Sequence, residues 1–265
     1  RKGDDIMSGI SGISSYSSYN PYSQIASGNK LPSAANGAAE LTIAEKQDAQ
    51  IRGYNAGTNN LQSGKDVLNI TDAALGGVTD YLQRIRELAL QASNTATVTD
   101  SDRRNIQHEV DQLKQGIQDI ASQTQYNTLN LLDGSFSDGM QIASDSNGNS
   151  VTINNSVNST LDALGIADFD VTKNFDLKTI DNALEKVNDQ RSQAGAQSNR
   201  LDHAINYNSY ASFNTLAARS RLTDTDYPQA ISELKKQQTL QTYAFMMQKK
   251  KMEAEARKMQ NFWIN

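Results

Sequence analysis

Leucine recurs at positions 61, 68, 75 and 82, one every seven residues. Seven residues are two helical turns, so these side chains form one continuous stripe, and Val78, Ile85 and Ala89 fill the rows beside it as far as about Ala92. A stripe of this length must be covered by other helices, which makes a helical bundle the natural fold. Composition points the same way. Of 265 residues only 6% are aromatic and 37% hydrophobic, with three prolines at Pro21, Pro32 and Pro228. A compact globule needs bulky residues at its centre, whereas a thin bundle needs only rows of Leu, Ile, Val and Ala. Gly76-Gly77, in mid-stripe, marks a bend or a close approach.

The rest of the chain reads outward from this seam. Residues 34–56 are helical in pattern, with Leu41, Ile43, Ala44 and Ile51 on a broken apolar face and Gly53 and Gly57 weakening the end. Thr99 caps the next helix with Asp102 at its N3 position, and Ile106, Val110, Leu113, Ile117 and Ile120 follow at spacings of four and three. These two helices are expected to fold back as an antiparallel hairpin. After "YNTLNLLDG" (126–134) the period becomes two: Met140 and Ile142, a turn at Asn147-Gly148, then Val151 and Ile153, the signature of a β-hairpin. "NSTLDALGIADFDV" predicts a short helical turn stopped by Gly165.

A long helix starts near Leu177 and carries Ile180, Leu184, Val187, Ala194, Leu201, Ile205, Leu216 and Leu222, with a break at "TDTDYP" because Pro228 restricts the residue before it. The tail sets Ile231, Leu234, Phe245, Met252, Met259 and Trp263 near one face, against Lys249, Lys250, Lys251, Arg257 and Lys258. The expected fold is mainly α: an elongated, rod-like antiparallel helical bundle with a small β-hairpin region. Its divisions are an N-terminal arm, flexible or ordered on assembly (1–32), an N-terminal helical half (33–133), a hairpin and connector (134–176), a C-terminal helical half (177–226) and an amphipathic tail helix (227–265).

Chemistry is sparse. With no cysteine there are no disulfides, thiolate metal sites or cysteine nucleophiles, and export to an oxidising space is harmless. His108 and His203 are the only histidines, each among charged residues on a helix, and no HExxH, GxSxG or phosphate-binding loop occurs. Asp224 and Asp226 read as the start of the tail helix rather than as an acid–base pair. No catalytic, cofactor-binding or metal-binding residue is nominated, and no enzyme is expected. The net charge of −5 argues against nucleic acid as a partner, and no run of 18 apolar residues exists, so membrane insertion is not expected. The Lys-rich tail also carries Glu253 and Glu255, so burial of its stripe against copies of itself is a simpler account than a membrane surface. The segment "RKGDDIMSGISGISSYSSYNPYS" has a basic pair but no apolar core, and does not read as a secretory signal; export would require a dedicated machine.

Several motifs stand together in order. The stretch "IASGNKLPSAANGAAELTIAEKQDAQIRGYNAGTNNLQSGKDVLNITDAALGGVTDYLQRIRELALQASN", with its "LQRIREL" box, resembles the N-terminal region of bacterial flagellins. "QTQYNTLNLLDG", "RSQAGAQSNRLDHAI" and "AARSRLTDTDY" are similar to further flagellin segments, so the resemblance covers about Ile25 to Tyr227. It implies a secreted, extracellular filament subunit that polymerises with sister copies, reaches the growing tip unfolded through the flagellar secretion apparatus with an export chaperone, and serves motility. It also implies a surface for the flagellin-sensing Toll-like receptor at Gln83, Arg84, Glu87, Leu88 and Glu109, with Arg84 at its centre because its planar donor fork suits an interface. The family's large outer domains have no counterpart, since only Gly134 to Asp176 separates the helical halves. The Ser/Tyr-rich arm and the tail "LKKQQTLQTYAFMMQKKKMEAEARKMQNFWIN" depart from the family's heptad start and Ala/Gln-rich ending. The alternatives are a hook–filament junction protein, a divergent minor flagellin or, outside filaments, a helical adhesin or effector.

Overall fold

The structure, a computed structural model, describes residues 21–136, 138–154 and 157–264, the side chains of 36 and 260–264 excepted. In chain order it comprises α1 (Pro21–Ser27), a 3₁₀ turn (Ala34–Asn36), α2 (Ala38–Ala92), α3 (Asp100–Gln123), β1 (Gln125–Tyr126), β2 (Leu129–Asn130), β3 (Met140–Ala143), β4 (Ser150–Ile153), α4 (Leu161–Leu164), α5 (Leu177–Thr223) and α6 (Tyr227–Ile264). The fold is mainly α, with β1–β2 and β3–β4 each a two-stranded antiparallel ladder. The chain divides into one unit of residues 51–213 and another formed from its two ends.

In the 51–213 unit, Leu61, Leu68, Leu75 and Leu82 are all at most 2% exposed. Burial of each contributes roughly 1.5–3 kcal/mol. Cross-links fix the direction of the covering helices. From α2 to α5, Arg86 pairs with Asp181 at 2.6 Å, Asp72 with Arg191 at 2.9 Å and Lys65 with Asp202 at 2.6 Å. Asn55 accepts a hydrogen bond from Ser212 at 3.1 Å. The partner numbers rise as those on α2 fall, so the two helices run antiparallel. The third helix, α3, brings Ile106, Val110 and Ile117 into the same core, with Leu131, Leu132, Ile166 and Val171 closing its flank.

The turn into α3 is capped as its residue types require. Thr99 N–H donates to Asp102 Oδ2 at 2.9 Å and Asp102 N–H to Thr99 Oγ1 at 3.3 Å, a reciprocal capping box. The Thr99 hydroxyl and backbone hold the Asp102 carboxyl below its ordinary range. At the other end of the core, Gly165 stops α4 in a left-handed conformation, φ 79°.

Two glycines in α2 act otherwise than their helix propensity predicts. The expected weakening at Gly53 and Gly57 does not occur, and α2 runs unbroken for 55 residues. The β3–β4 hairpin lies directly on them. A Cβ at Gly53 would sit 2.1 Å from Ser146 Cβ, one at Gly57 2.1 Å from the Ser144 carbonyl oxygen, and one at Gly64 2.1 Å from Ile142 Cδ1. Gly53 and Gly57 need glycine because the hairpin backbone approaches the helix there, whereas at Gly64 the space is taken by the ends of apolar side chains. The hairpin is further tied down by Asn208 Nδ2 donating to Ser144 O at 2.6 Å and Asn60 Nδ2 to Ala143 O at 3.2 Å. Of the mid-seam pair, Gly77 faces Ile120 Cδ1 at 3.2 Å from a notional Cβ, so it admits a close contact without interrupting the helix.

The unit formed from the chain ends is pinned around the break between α5 and α6. Lys30 N–H donates to Thr223 O at 2.6 Å, Thr225 N–H to Gly28 O at 3.1 Å, and Asn29 forms an isolated antiparallel bridge with Asp224. Gln24, 3% exposed, donates to Lys30 O at 3.0 Å, and α1 lies against α6, where Ala230 is buried. Asp226 caps α6 through the Gln229 N–H at 3.2 Å, and Pro228 falls in the first turn, where its missing N–H is not needed. This revises the reading of 1–32 as one arm. Residues 21–32 carry a helix and a clamp, because Pro21, Gln24 and Leu31 have a surface to pack on; residues 1–20 lie outside the described part.

Candidate assembly and recognition surfaces

Helical phase decides which side chains of the "LQRIREL" box are available. In α2, Leu82, Ile85, Leu88, Ala89 and Ala92 share the inward arc, and Gln83, Arg84 and Glu87 point away from it. Arg84 is held on the surface by two carboxylates. Its Nε and Nη2 donate to Glu109 Oε1 at 2.9 and 2.7 Å, and its Nη1 donates to Glu87 Oε2 at 3.2 Å. The bonds to Glu109 and then to Glu87 raise the guanidinium pKa further above its ordinary value, so the charge is permanent. Three of the fork's five N–H groups are occupied, leaving two for a partner. The cluster carries two negative charges against one positive. The side chains of Arg84, Glu87 and Glu109 are 49%, 70% and 46% exposed.

Leu88 is a correction. It is 3% exposed and belongs to the core with Ile85 and Ala92, so it cannot share an accessible face with Arg84. The exposed leucine is Leu90, at 58%, on the same helical row as Gln83 and Glu87. Leu88 falls three residues after Ile85 and four before Ala92, in phase with the second buried row, whereas Leu90 lies out of phase with it, and that was the available signal. Of the residues named for this surface, Gln83, Arg84, Glu87 and Glu109 lie outside the core, Gln83 as an exposed side chain.

The second surface is on α6. Ile231 is 42% exposed and Leu234 half-buried near the pinned start of the helix. From Gln238 to Met259 every residue is exposed, including Phe245 at 69%, Met252 at 57% and Met259 at 66%. Trp263 lies on the same helix, with its side chain outside the described part. Leu240, Tyr243 and Met247 are also exposed, off the expected row, so the apolar surface is wider than one stripe. Apolar side chains in such number without cover mark an interaction surface.

Among the described residues no group of His, Cys, Asp or Glu is placed to hold a metal ion, and no helix is long and apolar enough to cross a membrane. His108 and His203 are exposed on α3 and α5.

Comparison with known proteins places this architecture. The profile of the bacterial flagellin N-terminal helical region matches residues 11–137, and that of the C-terminal helical region residues 177–261. The flagellin of Bacillus subtilis (strain 168) is 33% identical over 255 residues, covering 82% of this chain and 83% of that protein. The chain belongs to the bacterial flagellin family. The flagellar filament 30.7 kDa core protein of Treponema maltophilum is 34% identical over 235 residues, with 82% of each chain covered. In three dimensions, the crystal structure of Bacillus cereus flagellin matches with a TM-score of 0.50 and 31% identity, over 57% of this chain and 88% of that one. A structure assigned to a flagellar hook-associated protein from Vibrio parahaemolyticus matches with a TM-score of 0.54 over 72% of this chain and 98% of that one. At 18% identity it shares the fold alone. The function is that of the flagellin family: a structural subunit of the bacterial flagellar filament, which polymerises with other such subunits and serves motility.

Proposed function

We propose that subunits join through α6, whose side chains Ile231, Leu234, Phe245, Met252, Met259 and Trp263 are covered by sister copies in the filament. The observation that carries this reading is the run from Gln238 to Met259, exposed throughout yet rich in Phe and Met. Covering an apolar stripe contributes about 25 cal/mol per Å² of surface removed from water, repeated at every subunit of the polymer. On this reading the chain is a secreted, extracellular protein with no chemistry of its own and no cofactor. It is delivered by the flagellar secretion apparatus, with an export chaperone shielding the apolar tail. Purified subunits seeded with filament fragments test the contact. Wild-type chain should elongate the seeds in electron micrographs and the double variant Phe245→Asp, Met252→Asp should not. Equal elongation by both would remove α6 from the assembly contact.

The cluster around Arg84 supports a second role, recognition of the free subunit by the flagellin-sensing Toll-like receptor through Gln83, Arg84, Glu87 and Glu109. Leu90 replaces Leu88 as the apolar member of that surface. Two unoccupied guanidinium N–H groups, with an exposed leucine one turn beyond Glu87, supply the mixed polar and apolar surface that protein interfaces favour. In a receptor reporter assay, Arg84→Ala and Leu90→Ala should each reduce the response at equal dose, with Leu88→Ala acting only through stability. A response unchanged by both surface variants would dismiss this role.

A further inference from the structure

Asparagine or aspartate followed by glycine occurs at four places: Asn36-Gly37, Asp133-Gly134, Asp138-Gly139 and Asn147-Gly148. Such pairs are chemically vulnerable, because glycine has no side chain to hinder its amide nitrogen from attacking the preceding side-chain carbonyl. What protects them is structure, since an N–H engaged in a hydrogen bond is a poor nucleophile. Three of the four are engaged. Gly37 N–H donates to Ala34 O at 3.3 Å, Gly134 N–H to Val157 O at 3.2 Å and Gly139 N–H to Phe136 O at 2.9 Å. Asp133 is further occupied by Ser135, whose backbone N–H and hydroxyl donate to its Oδ1 at 2.9 and 2.5 Å.

Asn147-Gly148, at the tip of the β3–β4 hairpin, differs on every count. Among the described residues the Gly148 N–H has no hydrogen-bond partner. The bonds of this turn go instead to Asp145, which accepts from Asn147 N–H at 2.8 Å and Asn149 N–H at 3.1 Å on Oδ1, and from Asn149 Nδ2 at 2.6 Å on Oδ2. Both residues are exposed, and a Cβ built on Gly148 meets nothing within 4 Å, so there is open space for a ring to close.

We infer that Asn147 is a site of spontaneous, one-way conversion to aspartate and isoaspartate, and that the conversion loosens the hairpin from α2. The Gly148 amide nitrogen, deprotonated by hydroxide, attacks Asn147 Cγ. A C–N bond forms, the bond to the side-chain NH2 breaks, and ammonia leaves with a proton from water. Water then opens the cyclic imide at either carbonyl, giving aspartate or, by the other route, isoaspartate. Both products place a new carboxylate two residues from Asp145, and the isoaspartate adds a methylene to the main chain of the turn. The neighbours of this turn, Ser144 and Ser146, are the ones seated on Gly57 and Gly53, where a misfit of less than one atom is felt.

The test is peptide mapping by mass spectrometry of the full chain held in mildly alkaline buffer, folded and in denaturant. Folded, the one-dalton gain at Asn147 should outrun that at Asn36 several-fold; in denaturant the two should convert at similar rates. Gly148→Ala should slow the folded reaction several-fold. Asn147→Gln should abolish it while hydrogen exchange shows the 140–153 ladder intact, so that a merely disrupted turn is told apart. In the converted fraction that same ladder should exchange faster. An Asn147 that stays intact in the folded chain, or an Asn36 that keeps pace with it there, would overturn the site; unchanged exchange after conversion would overturn the loosening.

Discussion

Two helices of this molecule carry apolar side chains at intervals of seven, and they meet opposite fates. Leu61, Leu68, Leu75 and Leu82 of α2 are at most 2% exposed, whereas Phe245, Met252 and Met259 of α6 are between 57% and 69% exposed. The spacing is the same helical stripe in both cases. What differs is whether the chain itself supplies the cover. The seam of α2 has α3 and α5 against it, with ion pairs at Arg86–Asp181 and Asp72–Arg191 setting the register. The described residues of α6 beyond Gln238 have no such cover. Residue type follows the same division. Branched leucines fill the fixed space of the seam, while flexible methionines, which can adapt to more than one surface, line the exposed row.

Substitutions that trade on this contrast should give the largest effects. Leu75→Ala removes packing the chain has already made and should cost about 2–5 kcal/mol of unfolding free energy. Met252→Ala, made on the uncovered row, should change the stability of the free chain by no more than about 0.5 kcal/mol. Denaturant unfolding of the unpolymerised chain measures both. Equal losses would mean that α6 is packed within the subunit after all.

The glycines of α2 sharpen the comparison on a smaller scale. Gly57→Ala drives a methyl group into the Ser144 carbonyl and should lower stability by about 1–3 kcal/mol while loosening the hairpin amides in hydrogen exchange. Gly76 lies further along the same helix with nothing within 4 Å of a notional Cβ, so Gly76→Ala should raise stability by about 1 kcal/mol, the ordinary helix preference for alanine. Thermal melts of the two variants should therefore move in opposite directions.

Acidification should give the smallest effect. The Asp102 carboxyl is held below its ordinary range first by the Thr99 hydroxyl and then by the Thr99 backbone N–H, and Asp145 by the Asn149 side chain first. A carboxyl depressed in the folded state stabilises it fully above the unfolded pKa, about 3.9, and the contribution is lost as the pH falls through the lower, folded value. Amides at the start of α3 and in the hairpin turn should lose protection below about pH 4, and the Asp102→Asn variant should remove that step at α3. A loss of the same protection on raising the pH would reverse the sign and contradict the assignment.

Much of this architecture was legible in residue types that act on their neighbours. The Thr99–Asp102 cap, the Asn147-Gly148 turn, the stop at Gly165 and the break before Pro228 each depend on bonds spanning a few residues, and each stands where the pattern placed it. Contacts across long stretches of sequence were not legible. Nothing near Gly53 or Gly57 announces Ser144 and Ser146, so the glycines read as helix weakeners when they are a seat for the hairpin. Pro21–Ser27 looked featureless because its helix is held by Thr223 and Thr225 at the other end of the chain. At the recognition surface, Leu88 was named from the motif alone, and its phase beside Ile85 and Ala92 buries it while Leu90, which the motif did not single out, stands exposed. Beyond the tail row, the exposed Leu240, Tyr243 and Met247 fall at i, i+3 and i+7, a second apolar row on another face of the helix that was not singled out from the sequence.

The central claim is that the apolar surface of α6 is completed only by sister subunits. Hydrogen exchange across residues 238–259, compared between the free chain and seeded filaments, tests it most directly. The account predicts rapid exchange in the free chain and strong protection in the filament, with the Leu61–Leu82 segment protected in both. Protection of 238–259 already complete in the free chain, or still absent in the filament, would contradict it.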